Sequence, residues 1–274
     1  MPSLPPRHAP DIDQDRLLAE TSLVSIERHR VLGSTNDRAK SLAREGKGNL
    51  PALILADHQT AGRGRGANRW WTGPGSLAFT LLADTENWQI PPERIPLVAL
   101  VAGIALVETV EPRLTGATAC LPEDSDQRLR AGLHWPNDVY LGDRKLAGIL
   151  VEMPRADRLV VGVGLNTNCR VAEAPKELRD RVATLLDVTE QVHDHTSLLI
   201  DWLRDWEKWV RRLPSHPEDI GQRADALCVQ HGLLLRVRVG SDVHEGRCLG
   251  ITPSGTLRLE TVSGIREFHS GRIE

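Results

Sequence analysis

The sequence predicts an α+β fold, a mixed β-sheet with helices packed on it, followed by a small β domain. Three observations predict it. Short apolar runs alternate with helical patterns across the first two thirds of the chain. Leu199, Trp202, Trp206, Trp209 and Leu213 recur at the spacing of one helix face, a stripe that belongs to core packing. After about Leu227, short strand-like runs are separated by Gly-Ser, Pro-Ser-Gly and Ser-Gly turns, the texture of a small barrel. Residues 1–20, with four prolines in the first ten positions, read as a flexible N-terminal extension. Residues 21–226 then form the main domain and 227–274 the β domain.

The elements follow in order. Residues 24–28 read as a strand. Ser34 and Asp37 stand at capping-box spacing, so a helix runs from there to about residue 44, where Gly46 and Gly48 end it. Strands are expected at 52–56 and 76–82, and a buried apolar helix at 95–110. Residues 122–131 read as a charged surface insertion. Strands at 133–135, 139–141 and 146–153 include a tight hairpin at Gly142-Asp143, and 159–165 is a further strand. A helix at 198–213 carries the tryptophans. Strands at 233–239, 243–251, 256–260 and 265–269 build the terminal domain.

Composition narrows the function. The 274 residues are 40% hydrophobic and 26% charged, with a formal charge of −3, so any basic site must be local. The four cysteines (Cys120, Cys169, Cys228, Cys248) stand far apart. That spacing supports neither a zinc knuckle nor a disulfide framework, and reduced cytosolic thiols are expected. No basic-then-apolar leader opens the chain, and no run approaches the ~18 apolar residues of a membrane span.

Three polar signatures carry chemistry. Ser34-Thr35-Asn36 opens a helix, where free N–H groups receive polar ligand groups. Gln59 precedes Gly62-Arg63-Gly64-Arg65-Gly66 and Arg69-Trp70, a loop too glycine-rich for a helix and suited to wrapping an anion. Trp135-Pro136-Asn137-Asp138 leads into Lys145, one hairpin away, bringing a carboxylate and an ammonium together. Gly162-Val163-Gly164-Leu165-Asn166 follows, where glycines let a flat ring lie against a strand. Walker, Gly-x-Ser-x-Gly and His-Glu-x-x-His patterns are absent. Several cations, one carboxylate and an anion-wrapping loop fit activation of a carboxylic acid by ATP, in which two anions must be joined and the acyl-adenylate shielded from water.

In that order and spacing, these motifs, with Lys145-Leu146-Ala147-Gly148-Ile149-Leu150-Val151-Glu152, resemble biotin–protein ligases. The resemblance covers most of the chain, from about Val24 to the C-terminus. It implies a class II synthetase-like catalytic domain and an SH3-like terminal barrel. It also implies formation of biotinyl-5′-AMP and pyrophosphate from biotin and MgATP, then transfer of biotin to a lysine of a biotin carboxyl carrier domain, such as that of acetyl-CoA carboxylase.

Carried over by position, Ser34, Thr35, Asn36, Gln59, Gly62, Gly64 and Gly148 would line the biotin site. Arg63 and Arg65 would close over biotin and the adenylate, and Lys145 would stabilise charge in both steps. Arg65, Arg69, Trp70, Asn137, Asp138, Gly162, Gly164 and Asn166 would face the nucleotide. Asp138 is left open as Mg²⁺ ligand or as base for the acceptor lysine. Two positions depart from the pattern. Asn68 stands where an arginine is common, and His134 where lysine precedes Trp-Pro-Asn-Asp, which predicts pH sensitivity near 6–7. Members that double as repressors carry a DNA-binding domain ahead of the catalytic one; with only about twenty residues before Val24, none and no operator binding are expected here, and a homodimer is left open. A lipoate or octanoate ligase of the same fold is the nearest alternative; an RNA-binding Arg-Gly segment is disfavoured by the net negative charge.

Overall fold

The computed structural model describes residues 11–46, 49–115 and 129–274. Helix α1 (Gln14–Glu20) precedes β1 (Ser25–Leu32), α2 (Thr35–Glu45), β2 (Ala52–Gln59) and β3 (Leu77–Asp84). A 3₁₀ turn, Pro92–Leu97, runs into α3 (Val98–Val110). Strands β4 (Ala131–His134), β5 (Asp138–Leu141), β6 (Arg144–Arg155) and β7 (Arg158–Leu165) come next, then α4 (Leu185–Thr189), α5 (His195–Val210) and α6 (Pro217–Ala226). The terminal strands are β8 (Leu234–Val239), β9 (Asp242–Ile251), β10 (Leu257–Thr261), β11 (Gly264–Phe268) and β12 (Arg272–Ile273).

The first seven strands form one sheet in the order β1-β2-β3-β7-β6-β5-β4. Its β1–β2 pair is parallel and the other pairs are antiparallel, as the mixed-sheet expectation requires. β2 is apolar on both faces because it is covered on both. Ala52 and Ile54 pack with Ala39 and Ala43 of α2, whereas Leu53 and Leu55 join the main core around α3 and α5. In that core Trp202 meets Phe79 edge-on at 4.8 Å and stacks with Trp206 at 5.7 Å. The last five strands form a separate antiparallel sheet, β11-β10-β9-β8-β12, consistent with a small barrel-like domain.

Several expectations are corrected. Residues 11–20 are not a flexible extension. Asp13 caps α1 by accepting from Arg16 N, its own N–H donates to Thr196 at 3.0 Å, and Leu17 is fully buried. Buried apolar surface offsets the ordering cost there; residues 1–10 lie outside the described chain. Ser34 is the N-cap of α2 but makes no side-chain cap bond, so the capping box does not form. The helix expected from residue 95 begins at Val98, since Pro96 removes a donor and the preceding turn stays 3₁₀. Pro92–Leu114 is long and apolar enough to cross a membrane by length and composition, contrary to the sequence expectation, yet 67% of its most apolar window is buried inside the protein. Helices α4 and α6 were not expected, the first being too short for periodicity and the second largely polar. The charged insertion falls mainly outside the described residues.

Candidate active site

A buried polar floor lies at the start of α2. Thr35 N–H donates to Gln59 Oε1 at 2.9 Å, and the Thr35 hydroxyl reaches the same oxygen at 3.2 Å. Gln59 Nε2 in turn donates to Thr72 Oγ1 at 3.3 Å. Thr80, fully buried in β3, has one hydroxyl proton with two acceptors in reach, Thr35 Oγ1 at 2.8 Å and Asn36 Oδ1 at 2.7 Å. The Asn36 amide donates to Leu150 O and Glu152 Oε2. Asn36 is thus spent inside the protein, and Ser34 Oγ is the floor hydroxyl without a cap bond. Gly162 serves this arrangement: a Cβ there would collide with the Asn36 amide.

The arginine loop is a small hairpin. Gly64 N–H donates to Asn68 O at 2.9 Å, Trp70 N–H to Gly62 O at 3.0 Å, and Arg63 bridges Arg69 in antiparallel fashion. Arg63 Nη1 bonds Asp37 Oδ1 at 3.0 Å, and Arg65 Nη1 donates to the Gly271 carbonyl of the terminal domain at 2.7 Å. Arg69 and Asn68 are exposed at the tip. Past the loop, the Trp70 indole lies on the glycine strip of β6 and β7. A Cβ at Gly148 would stand 3.1 Å from the ring, and one at Gly164 would overlap it. The flat ring that these glycines accommodate is therefore the protein's own.

Lys145 Nζ lies 5.6 Å from the Trp70 ring centroid and 2.7 Å from Asp138 Oδ2. A bulge between Val139 and Tyr140 shifts the β5–β6 register, bringing Tyr140 opposite Lys145. Asp138 Oδ1 and Trp70 Nε1 are buried with no hydrogen-bond partner among the described residues. Buried polar atoms of that kind are costly, and at a pocket wall they mark where a ligand group belongs. His134 stacks on Tyr140 at 4.2 Å. Burial and the nearby Lys145 push its pKa down against the pull of Asp138, so it is neutral at pH 7. That direction works against the sensitivity near pH 6–7 that the sequence suggests.

Asn137 and Asn166 are framework residues as much as wall. The Asn137 amide donates to Ile149 O at 2.7 Å, and Asn166 Nδ2 donates to Ala183 O at 3.1 Å, while Asn166 Oδ1 is a further buried orphan. The structure therefore gathers Gly62, Gly148, Gly164, Trp70, Lys145 and Asp138 into one place, with Ser34, Thr35 and Gln59 as floor. It turns Asn36 and Gly162 toward each other. Thr72 and Thr80 were missed as floor residues, and Asp37 and Glu152 as carboxylates outside the pocket that bond Arg63, Lys40 and Asn36. The available signals were a lone threonine in the apolar run of β3 and a carboxylate ending the Lys145–Glu152 motif.

A family model described as "Biotin/lipoate A/B protein ligase family" matches residues 29–167. The bifunctional ligase/repressor BirA of Bacillus subtilis is 30% identical, the alignment covering 90% of this chain and 72% of the relative. The biotin–[acetyl-CoA-carboxylase] ligase of Mycobacterium tuberculosis is 31% identical over 83% of this chain and 80% of that one. Among solved structures, the biotin protein ligase of Aquifex aeolicus in complex with biotin and ATP superposes with a TM-score of 0.76 at 26% identity, covering 92% of this chain and 98% of the other. Sequence, fold and site agree: the chain belongs to the biotin/lipoate A/B protein ligase family.

Proposed function

We propose that the chain is a biotin–protein ligase. It activates biotin with ATP to biotinyl-5′-AMP and pyrophosphate, then transfers biotin to a lysine of a biotin carboxyl carrier domain. One observation carries the reading: the Lys145 ammonium, the Asp138 carboxylate and the Trp70 ring that ends the arginine loop meet over a glycine strip. Cations from separate segments would screen the approach of carboxylate to the α-phosphorus, and Lys145 is placed to stabilise the charge that develops there. Ser34, Thr35 and Gln59 are the buried polar groups available to orient biotin, and Asn166 Oδ1 and Trp70 Nε1 face the need for nucleotide partners. The names of the relatives support biotin over lipoate.

Asp138 Oδ1 is an oxygen free to meet Mg²⁺. Among the described residues no group of three or more His, Cys, Asp or Glu side chains is placed to hold a metal. The ion would therefore arrive with ATP and draw its other ligands from phosphate oxygens and water. In the same reading the terminal sheet is an SH3-like barrel, the partner is the carrier domain of a carboxylase, and the enzyme works in the cytoplasm. Biotin-dependent exchange of labelled pyrophosphate into ATP, run beside lipoate and octanoate, tests the function. Exchange with biotin alone is expected; exchange with a lipoyl acid and none with biotin would replace this reading by its alternative.

A further inference from the structure

The arginine loop is held from outside by groups that the proposed chemistry leaves unused. Arg63 Nη1 bonds Asp37 Oδ1 at 3.0 Å, and its Nη2 approaches Glu152 Oε1 at 3.8 Å. Those carboxylates are set in place by the framework and not by the loop. Asp37 lies in the first turn of α2 and bonds Lys40 at 2.9 Å; Glu152 is bonded by Lys40 at 2.8 Å and by Asn36 at 3.0 Å. Among the described residues the hairpin backbone is bonded internally and at its base, where Thr60 and Ala61 N–H donate to the Leu32 and Gly33 carbonyls and Gln59 meets Thr72. The attitude of its glycine-rich tip therefore rests on side-chain pins, Arg63 to Asp37 and Arg65 to Gly271 O.

We infer that Asp37, backed by Glu152, is a positioning residue that holds Arg63, and with it the loop, down over the Trp70–Lys145 pocket. Resting on the ligase reading, the consequence is retention of the reactive adenylate until the acceptor arrives. The pair is exposed, with 42% and 49% of the two side chains accessible, so it biases the loop without locking it. A lid that must open for substrate and carrier needs a pin of that weakness. Arg65 is held by a backbone carbonyl, which no side-chain substitution removes, so Asp37 is the position to test.

Limited trypsin digestion of the unliganded full chain, with cleavage after Arg63, Arg65 and Arg69 followed by mass spectrometry, reads the pin directly. Asp37→Asn is expected to raise the initial cleavage rate roughly two- to five-fold, the range an exposed ion pair supports. Asp37→Glu restores it, and about 0.5 M NaCl moves the native chain toward the variant by screening. Escape of adenylate, read as biotin on lysines of serum albumin, rises by a similar factor, while the kcat of pyrophosphate exchange stays within about two-fold. Unchanged digestion or unchanged escape overturns the proposal, and so does loss of exchange in Asp37→Asn, which would place Asp37 in the chemistry. A native chain without biotin-dependent exchange would sink the ligase reading instead, and the digestion would still decide whether the pin exists.

Discussion

Lys145 and Asp138 show how much a single side chain's surroundings decide. In the proposed reaction, removing the ammonium deletes a charge available to the transition state, so Lys145→Ala should lower pyrophosphate exchange by about 10²-fold or more, with the urea midpoint little changed. Asp138 offers only Oδ1 to a proton, Oδ2 being held by Lys145. Deprotonating an acceptor lysine at neutral pH costs about 4–5 kcal/mol, which a base helps to supply. Asp138→Asn should therefore slow transfer from preformed adenylate; full-rate transfer would rule out the base role. Because burial and Lys145 lower the pKa of His134, the neutral ring prevails in mildly alkaline solution, and His134→Gln should leave exchange there unaltered. The identity of these residues was legible from motif spacing. Their contacts were not, because a bulge in β5–β6 sets where Lys145 points.

At the scale of elements, α2 and β3 are joined by hydrogen bonds rather than by a cap. Thr80→Val would remove the one hydroxyl proton within reach of the Thr35 and Asn36 oxygens and leave one of them without that donor in a buried place, an expected loss of about 1–3 kcal/mol in urea denaturation. Restored stability in that variant would mean the floor is not the tie between them. Gly164→Ala pushes the Trp70 indole off β7, so biotin-dependent exchange should fall while the core, built on other residues, stays folded by circular dichroism. Periodicity was enough to find α5 and most strands, since one-sided burial writes itself into spacing. It missed α1, because the evidence for that helix is a burial partner, α5, nearly two hundred residues away along the chain.

For the molecule as a whole, acid stability is linked to His195 at the start of α5. The ring is 1% exposed, bonded to Thr167 at 2.8 Å and Asn168 at 3.2 Å, and burial pushes its pKa down to about 4. The unfolded chain takes up that proton at higher pH than the folded one. Stability from this residue is therefore complete above about pH 6.5 and is lost as pH falls toward 4, roughly 3 kcal/mol in all. Denaturation midpoints across that window should fall in the native chain and fall less in His195→Gln; parallel slopes would refute the assignment.

By itself the sequence determined the mixed α/β class, the succession of most strands along the chain and the set of polar motifs, since these depend on hydrophobic spacing and turn chemistry within a few residues. Only the tertiary structure decided that Trp70 fills the glycine strip, that Asn36 faces Gly162, and that Arg63 and Arg65 are tied to Asp37 and Gly271. Those contacts join segments far apart in the chain. Their geometry is set by sheet order and register, which no local pattern of residues encodes.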